Sequence, residues 1–115
     1  MKALLVTTSI ILALSGCASF TKQQAYNTAL MVADWGQTRH IAENPDYYET
    51  NKILGKYPTR EAVDLYFLTL IGSYHLIHNI DFIDHRYKKA MDWYVTIMWT
   101  HTVWHNHSIG IEIDF

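Results

Sequence analysis

The chain has 115 residues, 50% of them hydrophobic and only 17% charged, with a formal net charge of −2 at pH 7. That length holds one domain at most, and a slightly acidic balance lacks the basic face that nucleic acid demands. With 1 cysteine in the chain, an internal disulfide is excluded.

In chain order, the first pattern is a secretory leader. Lys2 supplies the positive start and Ala3 to Leu14 an apolar run, which is too short for a membrane span of about 20 residues. Leu14-Ser15-Gly16-Cys17 then places small residues ahead of the lone cysteine. This stretch resembles a bacterial lipoprotein signal. The resemblance implies cleavage before Cys17, acylation of its sulfur (diacylglycerol) and of its new amine (palmitate-like), and residence in the cell envelope. At least two acyl chains are needed for stable anchoring, so a triacylated Cys17 would need no further membrane element. Ala18, where sorting signals favour aspartate for retention, implies the outer membrane at its periplasmic face. The expected organisation is a signal over 1–16, a lipidated tether over 17–21 and one helical domain over 22–115.

Punctuation in that domain predicts three helices, an all-α fold built as a small bundle. The first runs from Lys22 to Glu43 and stops at Asn44-Pro45, because a residue before proline avoids helical dihedrals. A polar and aromatic connector follows, from Asp46 to Pro58. Thr59 is placed to cap the second helix, with Glu61 in its first turn, and the helix continues through about Asn79. Asp84 caps the third, which fades between His107 and Gly110. Beyond it Ile109 to Phe115 alternates apolar and polar residues, as an extended tail does.

The second helix is apolar nearly all round, from Val63 and Phe67 to Leu76 and Ile77. A helix of that kind is buried by its neighbours or lies in lipid. The third is free of charged residues from Trp93 to Ile111, although threonines, histidines and Asn106 interrupt it. Hydropathy thus favours a membrane-associated bundle, and the aromatics Trp93, Tyr94, Trp99 and Trp104 suit a membrane interface or a core. If the second and third helices spanned lipid, the inner membrane would be expected instead, since spans in the outer membrane are closed barrels.

Two constellations carry chemistry. His101 and His105 are four apart on one helix face, and His75 can approach from the second helix, with Asp34 or Glu49 completing a divalent-metal or catalytic site of a kind helical bundles hold. The zinc-protease pattern His-Glu-x-x-His is absent from the pair. The second constellation is polar: Asp34, Gln37 and Thr38 on the first helix, then Glu49 and Asn51 in the connector. A buried Asp34 needs a partner, for which Arg39, Asn51 or a histidine of the third helix are the candidates. No catalytic triad or phosphate loop is present. The residues therefore point to a binding or contact role rather than an enzyme.

Three stretches extend the picture. They are Asp34-Trp35-Gly36-Gln37-Thr38-Arg39-His40-Ile41-Ala42, the connector Tyr48 to Pro58, and Asn106-His107-Ser108-Ile109-Gly110-Ile111. Together they resemble a group of small uncharacterised bacterial and phage-associated proteins, three-helix membrane proteins or lipoproteins. Lys52 stands where that group has proline. The resemblance implies a helical, membrane-associated fold with Asp34, Gln37, Thr38, Glu49, Asn51 and Asn106 as its polar site; the expected partners are the membrane, through lipidated Cys17, and an envelope protein.

Overall fold

A computed structural model describes residues 20–115. The leader, Cys17 and most of the tether lie outside the described residues. The described chain is three helices: α1 (Lys22–Glu43), α2 (Arg60–His78) and α3 (His85–Ser108). No strand occurs among the described residues.

Each helix begins where its cap dictates. Thr59 accepts from Ala62 N–H through its side chain, and Asp84 accepts from Arg86 N–H. At the start of α1 the capping is reciprocal: Thr21 Oγ1 accepts from Gln24 N–H, while Gln24 Oε1 accepts from Thr21 N–H. This capping box satisfies two amides that the first turn leaves without helical partners. The end of α3 is closed by Gly110, whose φ of 92° is left-handed. Ile111 N–H bonds Asn106 O and Gly110 N–H bonds His107 O, the paired pattern of a Schellman motif.

The most enclosed helix is α1, which packs against both α2 and α3, while direct contact between α2 and α3 is sparse. Hydropathy pointed instead to α2 as the buried element. Its Val63, Phe67, Ile71 and Tyr74 do enter the core, but Leu65, Leu68 and Leu76 are exposed. The reason lies in the α1 seam, where Gln24, Asn27, Thr28, Gln37, Thr38 and Arg39 are buried beside Met31 and Trp35. Polar groups are tolerated inside when hydrogen bonds satisfy them, so the innermost helix need not carry an apolar stripe.

Trp35 is the centre of the apolar core. It is 0% exposed, stacks on Phe67 with ring centroids 6.2 Å apart, and meets the edge of Phe115 at 5.7 Å. Its indole N–H donates to Asp64 Oδ1 at 2.8 Å, an oxygen that also takes Arg39 Nη1 at 2.8 Å. The C-terminal tail beyond Gly110 carries no helix or strand and lies on α1. Asp114 N–H donates to Gly36 O. A Cβ at position 36 would stand 2.4 Å from Ile113 and 2.8 Å from Phe115, so glycine is what lets the tail close.

A second polar layer ties the α2–α3 turn to the start of α1. Asp92 Oδ1 accepts from Tyr74 Oη–H and from His78 Nε2, both at 2.6 Å. Asn27 Nδ2 donates to Tyr74 Oη and to Asp92 O, and Asn27 Oδ1 accepts from Thr96 Oγ1. Because Gln24 Oε1 is held by the capping box, its Nε2 faces His78 Nδ1 at 3.0 Å. That donor makes Nδ1 an acceptor and assigns the ring proton to Nε2, toward Asp92. Burial, then the Asp92 bond, push the Tyr74 hydroxyl above the usual phenol range.

Candidate functional site

Where α2 and α3 part, α1 forms the floor of a cleft and the connector closes one end. The cavity has a volume of about 240 Å³. Asp34 and Thr38 rise from α1, Glu49 and Asn51 come from the connector, and Asn106 comes from the last turn of α3. Five of the six residues expected to form a polar site therefore meet on one cavity. The sixth, Gln37, stands behind it. Gln37 is buried, donates to Val103 O at 3.1 Å and accepts from Asn106 Nδ2 at 3.2 Å, which holds the Asn106 amide in place.

The connector reaches the cavity through its own hydrogen bonds. Glu49 Oε1 accepts from the N–H groups of Thr50 and Asn51, and Asn51 Oδ1 accepts from Ile53 N–H. Glu49 N–H in turn bonds Lys56 O, and Gly55, at φ 82°, turns the chain back. Such a positive φ favours glycine. Tyr66 and Phe67 from α2, and Tyr94, Met98, Trp99 and Thr102 from α3, supply the remaining walls. These wall residues were missed in the sequence because only the helix register brings them together.

Asp34 is the most perturbed group in the cavity. Burial, followed by the charge of Glu49, raises its carboxyl to about 7, against the smaller opposing effects of Thr38 and Trp99. Thr38 Oγ1 lies 3.4 Å from Asp34 Oδ1. The Trp99 indole N–H faces the carboxyl closely enough to favour its charge, yet it is buried without a hydrogen-bond partner of good geometry. Arg39 is not the partner of Asp34: five residues further along the helix, it points elsewhere and pairs with Asp64 at 2.8 Å. Nor does a histidine of α3 fill that role, since His101 and His105 are exposed. Asn51 shares the cavity.

The structure does not bring the histidine set together. His75 is buried near the start of α1, where its Nε2 lies 2.9 Å from Thr28 Oγ1. The Thr28 hydroxyl proton goes to Gln24 O at 2.7 Å, so His75 is the donor in that pair. Burial, then the neighbouring His78, lower the His75 pKa. His101 and His105 stack on each other at 6.3 Å on the outside of α3. Among the described residues no group of three His, Cys, Asp or Glu side chains is placed to hold a metal ion. Among them, too, no helix is long and apolar enough to cross a membrane.

No family model, curated protein or solved structure matches this chain. The cleft must be read from its own chemistry.

The raised Asp34 pKa has a consequence for stability. Between the ordinary carboxylate value of about 4 and its folded value of about 7, the folded protein holds a proton that the unfolded chain has lost. Stability from this group therefore falls as pH rises from about 4 to 7, and the full penalty is present above 7. Asn at position 34 keeps an acceptor for Thr38 and carries no charge. Asp34→Asn is expected to leave stability unchanged at about pH 4 and to raise it by roughly 2 kcal/mol at about pH 8, a figure discounted for the partial exposure of the side chain. Urea unfolding at the two pH values measures the difference.

Proposed function

We propose that this chain is a lipid-anchored helical binding protein of a bacterial envelope, with the Asp34 cleft as its ligand site and Cys17 as its membrane anchor. The observation that carries the reading is the cleft itself. Three separate segments place Asp34, Glu49, Asn51 and Asn106 around one cavity, and Asp34 remains there although its ionised form is costly. Small pockets with a few convergent polar groups and a perturbed carboxyl are the usual form of a ligand site. Structural pairing alone would favour an uncharged residue at position 34.

The lipoprotein-like pattern at Leu14 to Cys17 and the likeness to three-helix membrane proteins and lipoproteins support the anchor. Ala18 supports the periplasmic face of the outer membrane. Leu65, Leu76, Trp93, Ile97 and Trp104 are exposed on α2 and α3 and suit contact with a membrane surface or an envelope protein. Anchoring is tested by fractionating cells that carry the wild type or Cys17→Ala behind a leader cleavable without lipidation. Wild type is expected in the membrane fraction and the variant in the soluble periplasm. A variant that survives carbonate extraction from the membrane would mean that the helices, not the lipid, hold the protein.

A further inference from the structure

We infer that the ligand of the cleft is a small organic cation, an alkylammonium group seated between Asp34 and Glu49 against the aromatic walls. The inference rests on reading the cleft as a ligand site and adds what that ligand must be. Three features of the walls agree.

First, the charge is of one sign. Among the described residues, Asp34 and Glu49 are the only carboxylates on the cavity, and no lysine, arginine or histidine lines it. Second, the walls offer acceptors. The Thr38 hydroxyl donates to Asp34 O at 2.8 Å, the Thr102 hydroxyl donates to Met98 O at 2.9 Å, and Asn106 Nδ2 donates to Gln37 Oε1. Both hydroxyl protons and one Asn106 N–H are committed to the protein, which leaves the hydroxyl lone pairs and the Asn106 carbonyl oxygen for a donor ligand. The Trp99 indole N–H faces Asp34 and favours its ionised form. Third, Tyr66, Tyr94 and Trp99 line the cavity with aromatic side chains, the residue type that attracts cations and receives the apolar shell of an alkylammonium.

The remaining features set the size and disfavour a bare metal ion. A cavity of about 240 Å³ lies below the roughly 300–1,000 Å³ of sites for drug-sized ligands. Calcium would need about six to eight oxygen ligands, and among the described residues no group of three His, Cys, Asp or Glu side chains is placed to hold a metal ion.

Proton linkage follows from the same geometry. The titratable groups facing the ligand are Asp34 from α1, Glu49 from the connector, Tyr66 from α2 and Tyr94 from α3. Of these, Asp34 changes charge near neutrality, with its pKa at about 7. Since the ionised carboxylate is the binding form, affinity rises with pH and weakens about 100-fold from pH 8 to pH 5.

The test uses the full chain in a maltoside detergent, with the Trp99 indole and Asn106 amide resonances followed by NMR. Choline, permanently charged, is titrated beside its uncharged isostere 3,3-dimethylbutan-1-ol and beside calcium alone. Choline is expected to bind at least tenfold more tightly than the isostere, with the stated pH dependence. Asp34→Asn is expected to weaken choline more than tenfold and to abolish that pH dependence. Equal binding of the isostere, or tighter binding of calcium, would overturn the cation assignment while keeping the cleft as a ligand site. No response to any of the three probes would overturn the site itself. A last arm compares free ethanolamine with bilayers of phosphatidylglycerol alone or with phosphatidylethanolamine. A response to the lipid identifies a membrane headgroup as the source, and a response to the free amine alone identifies a soluble one.

Discussion

Trp35→Ala is expected to be the most damaging single change in the domain, at roughly 4 kcal/mol. The side chain is fully enclosed and packs on Phe67 and Phe115, so its loss removes buried apolar surface and leaves a cavity that α1 cannot close without moving. It also removes the indole N–H from Asp64. Native domains are stable by only about 5–15 kcal/mol, and a domain this small belongs at the low end. The variant is therefore expected to melt roughly 20 °C lower, on a scale of about 4–8 °C per kcal/mol. Trp35→Phe separates the two contributions, because it keeps most of the stacking and gives up the hydrogen bond. Thermal unfolding followed by far-UV circular dichroism measures both. A melting temperature for Trp35→Ala within a few degrees of wild type would mean that the core does not centre on this residue.

Asp92→Ala comes next, at about 3–4 kcal/mol. Asp92 is 5% exposed and accepts from Tyr74 and from His78 through one oxygen. Removing it strands two buried donors, each costing about 1–3 kcal/mol. The stranding predicts coupling: Tyr74→Phe is expected to cost about 1 kcal/mol less in the Asp92→Ala background than in the wild type, because only the bond from Asn27 Nδ2 is then left to lose. Asp92→Asn, which retains an acceptor, is expected to cost about half as much as Asp92→Ala. A double-mutant cycle in urea measures the coupling. Strict additivity of Tyr74→Phe and Asp92→Ala would refute the shared network.

Much of the architecture was legible in the sequence. Asn44-Pro45 ends α1 where expected, and Thr59 and Asp84 cap the helices they were expected to cap. Such signals are local, since a cap or a proline acts on the turn beside it. The rank of the helices was not legible. In the sequence Asp64 reads as the boundary of an apolar run, whereas in the structure it anchors Trp35 and Arg39 inside the fold. Asp92 is similarly enclosed. An acid set next to apolar residues on both sides, Val63-Asp64-Leu65 and Met91-Asp92-Trp93, was the available signal, because burying it demands a partner. Polar residues on α1 hid its central position for the same reason: their burial is compensated by hydrogen bonds to partners as far away as Asp92 and Val103.

The cleft shows the same division. Asp34, Thr38, Glu49 and Asn51 cluster within a short stretch of chain and could be grouped by eye. Trp99 and Thr102 could not, since their place on the wall depends on how α3 lies across α1. The histidine pair at 101 and 105 had the better sequence signal, but it lies on the outside of its helix. Spacing defines a shared face and leaves open which way that face looks.

The order in which the chain is made bears on how it collapses. α1 is complete first, yet its interior side-chain amides at Gln24, Asn27 and Gln37 find their partners on α2 and α3, so in a nascent α1 these groups bond water instead. The hairpin of α2 and α3 has little contact of its own and cannot bury Phe67 or Val95 without α1. Among the described residues, the core is therefore complete only when all three helices are together. A truncation that removes any one of the three helices is therefore expected to unfold the other two rather than leave a folded pair.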